Sequence, residues 1–538
     1  MARVDRLSDD LKQVLQVAAV LGREFSGRLL DSLCGKSTSL RSIVSELERL
    51  DLIHQRGADE ESVYAFKHAL TQETVYGSLL TTRRQALHDA AGLALESLWT
   101  GRLENYYEVL AHHFLKSANI TKALDYLELA NQKAARASAM MEAKAYFVDA
   151  LHLLEQLPDS ATKRRRLANL ILNQVYVFFL PFQLEEYYEL LTKYESVVSE
   201  AGDAALLGRL LGCRGHCLWF FGRLDEAIAV ESEAVKLCEV AGSFDGTAYA
   251  YANMAWCYYF KGKYETVAKC VEAALAASGR SFNLRFHVNA LAAGSIAYSL
   301  RGLWEHAIRE AREALEISQR YQDDSLISMA AWILAVAHVF RGDVREGLAQ
   351  AQFAVDRAPT LADRLWAEGI LGWGHCRAGE LDVGLNLLES LLPVARMAGA
   401  TGQWYIQSLG EAYIMAHRLD EAEELLENLL ATAEPADWGL TIGPSHRLLA
   451  EVALGRDTDG TLETARFHVE RAISILSEQH AAHELACAYV SYGRVERRLG
   501  RVREARDHFG RSLEIFERLG TLIEPDRVRE ALAELAAT

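Results

Sequence analysis

Four short constellations in this sequence hold residue types that can do chemistry. Cys213-Arg-Gly-His-Cys217 puts two thiols four residues apart, on one face of a helix, with His216 beside them. Thiolate sulfur and imidazole nitrogen so placed are zinc ligands. The spacing is neither C-x-x-C nor C-x-x-C-H and no second ligand pair accompanies it, so small buried side chains around Gly215 are the simpler reading. Gly35-Lys36-Ser37-Thr38 has the tail of a phosphate-binding loop, but Leu30 stands where its first glycine is needed and the preceding segment reads as helix. Ser37 or Thr38 reads instead as the cap of the next helix. Asp457-Thr-Asp459-Gly460 with Glu463 has part of a calcium loop's spacing, but the glycine is displaced and Thr461 replaces the third acid. Helix-capping aspartates in a polar turn account for it. His112 and His113 are adjacent, so they diverge on a helix and read as core or interface histidines. H-E-x-x-H and G-x-S-x-G are both absent. No catalytic residue, metal site or cofactor is expected.

The sharper signal is aromatic. Eight of the nine tryptophans lie between Trp219 and Trp438. One helical face carries Trp219 and Phe220, and the corresponding face forty residues on carries Tyr249, Trp256, Tyr259 and Phe260. Trp332 and Phe340 follow, then Trp366 and Trp373, then Trp404. Interleaved are the polar residues Arg209, His216, Asn289, Arg377, Gln407 and Glu411. An exposed apolar surface of that extent, with a few polar groups, is the pattern of a binding site. The alternative is that long helices pack these rings between neighbours, as Trp304 beside a turn should do.

The elements that must position these residues are repeated. Phe221-Gly-Arg-Leu-Asp-Glu-Ala227 returns as Lys261-Gly-Lys-Tyr-Glu-Thr-Val267, Arg301-Gly-Leu-Trp-Glu-His-Ala307 and Arg341-Gly-Asp-Val-Arg-Glu-Gly347. The turn glycines Gly222, Gly262, Gly302 and Gly342 are each 40 residues apart, and the pattern continues less regularly at Gly379, His417 and Gly500. Glycine supplies the positive φ that ends one helix and starts the next. A small residue precedes each turn by seven positions: Gly215, Ala255, Ser295, Ala335, Gly372, Gly410 and Gly493. Another follows by five: Ala227, Ala307, Gly347, Gly384, Ala422 and Ala505, with Val267 the exception. Small residues at both places let paired helices approach closely.

Over residues 105–520 this pattern resembles the tetratricopeptide repeat, with a longer period than the usual ~34 residues. The resemblance implies an all-α, right-handed superhelix, and Asp526–Ala536 reads as its capping helix. Composition agrees with a helical chain: 538 residues, 50% hydrophobic and only 7 prolines. The net charge of −17 is the wrong sign for a general nucleic-acid or anionic-membrane binder. Eight scattered cysteines suit reduced thiols, and no apolar run approaches the ~20 residues of a bilayer span, so a cytoplasmic location is expected.

The first hundred residues differ. Helical stripes over Ser8–Leu21, Ser26–Leu33 and Ser37–Leu50 precede two strand-like runs at Asp51–Gln55 and Ser62–Phe66, joined by the polar turn Arg56–Glu61. Three helices and a hairpin predict a winged-helix-like domain over 1–98. Its 12 Lys/Arg against 14 Asp/Glu, with Arg41 and Arg49 offset by Glu46 and Glu48 in the third helix, favour a packing module over a DNA reader.

Val17–Phe25, Tyr64–Leu80, Arg83-Arg84, Leu87-His88, Leu110–Phe114 and Ala123–Leu127 are similar to the segment after the ATPase domain of large bacterial signalling proteins. Those proteins join a class III nucleotide cyclase, kinase or transcription-factor domain to a signal-transduction ATPase and a tetratricopeptide sensor. The resemblance implies that the cyclase and nucleotide-binding parts lie upstream, and that an ATPase or cyclase domain docks on the winged helix. The expected organisation is 1–98 winged helix, 99–162 first helical pairs, 163–520 solenoid and 521–538 cap. The expected function is a non-catalytic sensor that takes a protein partner or small-molecule effector in the concave groove. A free-standing interaction scaffold is the alternative, with a transcriptional regulator behind it.

Overall fold

The computed structural model describes residues 6–35, 38–56, 62–280, 283–456 and 460–537. Lys36 and Ser37, residues 57–61 of the polar turn, and Asp457–Asp459 lie outside them. The described residues form twenty-nine α-helices and three short strands, and the chain divides into two compact units, Met1–Lys163 and Arg164–Thr538.

In the first unit Ser8 caps the helix Asp9–Leu21, its Oγ accepting from Leu11 N at 3.5 Å. Leu15 and Ala18 on that helix are fully buried, and they pack with Leu30, Leu47, Ile53 and Phe66. The helix Gly27–Cys34 precedes Gly35, so the glycine-lysine motif follows a helix rather than a strand. β2 (Ile53–Arg56) pairs antiparallel with β3 (Val63–Phe66). A third strand, β1 (Glu24–Ser26), was not expected; it pairs with the other edge of β3, giving the order β1-β3-β2. Three residues are too few to show an alternating pattern. Helices Ala69–Gly77, Thr81–Leu98, Tyr107–Lys116, Ile120–Arg136 and Met140–Gln156 complete the unit.

The second unit opens irregularly, with short helices Val175–Phe179, Leu184–Lys193 and Glu195–Glu200. Regular tetratricopeptide-type pairs then follow. The first helices of the pairs are Ala204–Phe220, Phe244–Phe260, Leu284–Leu300, Asp324–Arg341, Leu361–Arg377, Gln403–Met415, Gly439–Gly455 and Ala482–Arg498. Each packs on the helix that follows it, and most pack on the first helix of the next pair. The small residues sit where the helices of a pair meet. Ser295 Oγ donates to Ala307 O at 2.8 Å, and a side chain at Gly372, Gly410 or Gly493 would press on Leu388, Leu426 or Phe509. The final helix, Glu524–Ala537, buries Val528 and Leu535 against Phe509 and Phe516.

The solenoid closes on itself. Trp438 Nε1 donates to Gly222 O at 3.0 Å, across 216 residues of sequence, and a Cβ on Gly222 would fall inside the Trp438 ring. Gln479 lies on Gly262 and Leu519 on Gly302, each 2.6 Å from where a Cβ would be. Leu522 N donates to Arg341 O at 2.8 Å beside Gly342. Ion pairs Lys261–Asp437 (2.5 Å) and Lys263–Glu478 (2.9 Å) flank these contacts. An offset of 216 residues is between five and six forty-residue repeats, so one superhelical turn lies directly on the next.

Closure changes the expected surface. Ser325–Phe340 are sixteen consecutive buried residues, although a groove-lining helix should leave one face open. That helix, Asp324–Arg341, is long and apolar enough by composition to cross a membrane, and 89% of it is buried inside the solenoid. Trp304 packs against His483, ring centroids 5.8 Å apart, on a helix almost one turn later.

Candidate functional site

On the inner face of the solenoid is a chamber, partly open to solvent, with about 1040 Å³ of atom-free space including its opening, of which about 100 Å³ can hold the centre of a water molecule. Ten of the seventeen residues singled out from the sequence line it: His216, Trp219, Trp256, Tyr259, Phe260, Asn289, Trp332, Phe340, Trp366 and Trp404. They come from six successive first helices, whose common face the superhelix turns inward. Trp219 stacks on Phe260 (5.8 Å, 19° between planes) and Trp332 meets Trp366 at 6.2 Å. The expected exposed groove is therefore largely covered: Trp219 is only 4% and Trp332 only 8% exposed, while Trp256, Trp366 and Trp404 are half-buried.

Four more of the set lie further along the interior. Trp373, Gln407 and Glu411 line a narrower passage, and Arg377 with Glu411 lines a space beyond it. Trp373 Nε1 donates to Glu411 Oε2 at 3.0 Å. Arg209, Phe220 and Tyr249 do not reach the interior space. Arg209 donates to Asn169 Oδ1 (2.9 Å) and Asn173 Oδ1 (2.7 Å), tying its helix to the preceding one. Phe220 stacks on Phe182, and Tyr249 packs between His216 and Phe286.

Sequence reasoning missed one wall. Tyr176, Phe179 and Leu180 close one side of the chamber. Leu180 O accepts from Ala362 N at 3.1 Å, and Phe179 reaches Trp366 at 5.8 Å. The aromatic run Tyr176–Phe182 was visible in the sequence, but it interrupts the repeat and so falls outside its period.

The polar groups of the wall are few and held. Gly212 and Gly215 leave room for the carboxyl of Glu231, which is fully buried, and burial pushes that carboxyl well above the usual range. Asn253 Nδ2 donates to Glu231 Oε1 (2.8 Å) and Gly212 O (3.4 Å), leaving Asn253 Oδ1 to accept from His216 Nδ1 at 3.2 Å. His216 Nε2 is then the bare nitrogen of a neutral ring, and burial lowers that histidine to about 3. His216 Nε2, Trp219 Nε1 and Trp332 Nε1 have no hydrogen-bond partner within the protein. Trp256 Nε1 donates to Asn289 Oδ1 at 2.5 Å. Arg285 pairs with Asp323 (2.8 Å) and lies 4.9 Å over the Tyr176 ring.

Among the described residues Asp363 is the one acid on the chamber wall. It is the third residue of its helix, its N–H donating to the capping Thr360 Oγ1 at 3.2 Å while Thr360 Oγ1 and Ser325 Oγ donate to its carboxylate. Burial raises it to about 6 against those hydrogen bonds and the nearby Arg285. With one oxygen engaged by the capping Thr360 and the other by Ser325 of the preceding first helix, Asp363 is not arranged as a general base.

Cys213 and Cys217 do not converge with His216. Cys213 Sγ faces Leu172 O at 3.7 Å, and burial pushes its thiol up to about 11. Among the described residues no group of three or more His, Cys, Asp or Glu is placed to hold a metal ion. In the first unit, His113 Nδ1 lies 2.9 Å from His88 Nδ1, whose Nε2 is 3.1 Å from Tyr76 OH, with Arg84 5.2 Å over the Tyr76 ring. Residues quoted above for the signalling-protein resemblance thus meet in one cluster, although they are scattered from Tyr76 to His113. His113 is buried and His112 exposed, in keeping with their divergence on the helix.

No family model matches the chain. An uncharacterized protein of Rhizobium meliloti (strain 1021) is 29% identical over 161 residues, 28% of this chain and 15% of that protein. Among solved structures, a signal-transduction ATPase with a tetratricopeptide repeat sensor from Pyrococcus horikoshii is 14% identical at a TM-score of 0.45, covering 88% of this chain and 64% of that one. The Cut9–Hcn1 assembly is 14% identical with a TM-score of 0.49, over 84% and 87% of the chains. A Rap protein bound to competence and sporulation factor is 13% identical with a TM-score of 0.48, over 65% and 98%. Likeness at this level extends no further than helical-repeat architecture. The chain spans only a small part of the Rhizobium protein and about two thirds of the Pyrococcus one.

Proposed function

We propose that this chain is a non-catalytic regulatory receptor whose solenoid takes a small, largely apolar molecule into its interior chamber. The observation that carries this reading is the largely apolar aromatic wall of the chamber, built by side chains from six successive first helices. A ligand that covers these rings removes apolar surface from water, which is favourable in proportion to the area buried. An interaction scaffold for protein segments instead needs an open channel along several repeats.

Occupancy regulates only if the ligand binds two states of the solenoid unequally. The closed turn-on-turn contacts supply one such state, and a loosened solenoid the other. On this reading residues 1–98 are a winged-helix-like module, 99–162 the first helical pairs, 163–520 the sensor and 521–538 its cap. The signalling-family resemblance makes an ATPase or cyclase domain the proposed partner of the first module.

Native mass spectrometry of the full chain purified from its own source tests the proposal. The expected result is a retained adduct of small-molecule mass, lost in Trp256→Ala and Trp332→Ala variants that keep their helix content. Stoichiometric recovery of a protein partner with no small adduct overturns the receptor reading in favour of a scaffold.

A further inference from the structure

Asn289, on the chamber wall, has its amide turned by a neighbour. The indole N–H of Trp256 can only donate, so the atom of Asn289 that meets it at 2.5 Å is the oxygen. The amide NH2 is left with two N–H donors, which have no hydrogen-bond partner among the described residues. Asn289 is half-buried, and its nitrogen is not among the polar atoms shut away from water. Arg285, Asn289, Ile296 and Leu300 line the chamber from one face of the helix Leu284–Leu300, so the face that carries Asn289 is the chamber face.

Other water-accessible polar atoms of the wall are donors too. Trp366 Nε1 and Trp404 Nε1 have no partner among the described residues and are not shut away from water, and an indole only donates. The acceptors, by contrast, are engaged or buried. The two oxygens of Asp363 accept from Thr360 and Ser325, and Asn253 Oδ1 accepts from His216, whose own Nε2 is shut away from water. Charge adds a second constraint. Arg285 is the wall's one guanidinium among the described residues; it pairs with Asp323 and stands near Asp363. With both acids counted, no positive charge is left over for an anion.

We infer that the ligand is an uncharged apolar molecule with a carbonyl-type acceptor oxygen, and that Asn289 Nδ2 receives this oxygen while the rings cover the body. The inference rests on the receptor reading and adds the ligand's polar group and its seat. A carbonyl buried against rings alone would forfeit its hydrogen bonds to water and weaken binding. At Asn289 the same oxygen exchanges a water for an amide donor and strengthens it.

Equilibrium dialysis of the full chain against 2-acetylnaphthalene, 2-isopropenylnaphthalene and 2-naphthoate at neutral pH tests this. The first two differ as C=O against C=CH2 at nearly equal shape, so the ratio of their affinities isolates the oxygen. Asn289→Asp keeps an oxygen for Trp256 Nε1 and removes both donors. It should lower the ketone-to-alkene ratio about tenfold, with helix content and tryptophan emission unchanged. Asn289→Leu should lower the ratio as well, while also releasing Trp256. A ratio that is the same in Asn289→Asp as in the parent chain overturns the inference and leaves the receptor reading standing. So does tighter binding of 2-naphthoate than of the ketone. If none of the three binds, the receptor reading falls with it.

Discussion

The corners at Gly222 and Gly500 share one backbone conformation, φ 77° and 74°, and have opposite surroundings. At Gly222 the Trp438 ring occupies the place a side chain would take, whereas at Gly500 nothing lies within 4 Å of it. Gly262 and Gly302 go with the first kind and Gly379 with the second. At the corner where the repeat has His417, φ is 57° and a histidine is accommodated. Glycine is thus required twice over where the next superhelical turn lands, and only for its φ elsewhere. One repeated motif serves two physical demands, and the second is imposed by residues more than two hundred positions away.

The largest break in this contrast should come from Trp438→Ala. It removes a buried ring and its hydrogen bond to Gly222 O, and should cost about 3–5 kcal/mol in urea unfolding while leaving helix content near native. In that background Gly222→Ala should cost about 1 kcal/mol, against about 3 kcal/mol alone, since only the left-handed φ penalty remains. Equal costs in both backgrounds would show that Trp438 is not what confines Gly222.

Acid provides the second test. His483 lies against Trp304, Phe340 and Phe516, and burial lowers it to about 4, with Glu524 and Glu411 raising it and Arg377 and Arg447 lowering it further. Its folded value is below the ordinary value near 6.5, so the stability it contributes is present above pH 6.5 and is lost as pH falls through about 4. Between pH 7 and pH 4.5 the turn-on-turn contacts should weaken by on the order of 2 kcal/mol. His483→Phe should flatten that dependence in thermal melts read by tryptophan fluorescence. Gly500→Ala should have the smallest effect, about 1 kcal/mol from φ alone, and should leave tryptophan emission unchanged.

Which parts could be read in advance follows from the range of the interactions. The forty-residue glycine spacing, the small residues at helix contacts and the β2–β3 hairpin are local patterns, and each is visible in a window of a few residues. Trp219, Trp256, Trp332 and Trp366 were placed on one face because a helical period locates a face. That the face is enclosed was not legible, since closure comes from Trp438, Gln479 and Leu519 landing on distant corners, and no local pattern encodes their landing. Tyr176, Phe179 and Leu180 escaped for a related reason: they lie in the one stretch where the repeat is broken. Arg285 lies over the Tyr176 ring across more than a hundred residues of sequence, a contact that no local pattern encodes.

The contact between Trp438 and Gly222 also fixes how many repeats this protein can have. In an open solenoid each unit touches only its neighbours, so a lineage can gain or lose one with little disturbance elsewhere. Here a forty-residue insertion between positions 342 and 438 would carry Trp438, Gln479, Leu519 and Leu522 past their seats together and leave Gly222, Gly262, Gly302 and Gly342 all unmatched. Modular growth, the usual evolutionary freedom of repeat proteins, is closed to this stretch of the chain. Variation must enter instead through side chains on the inner wall, where a substitution alters what is held without altering the count.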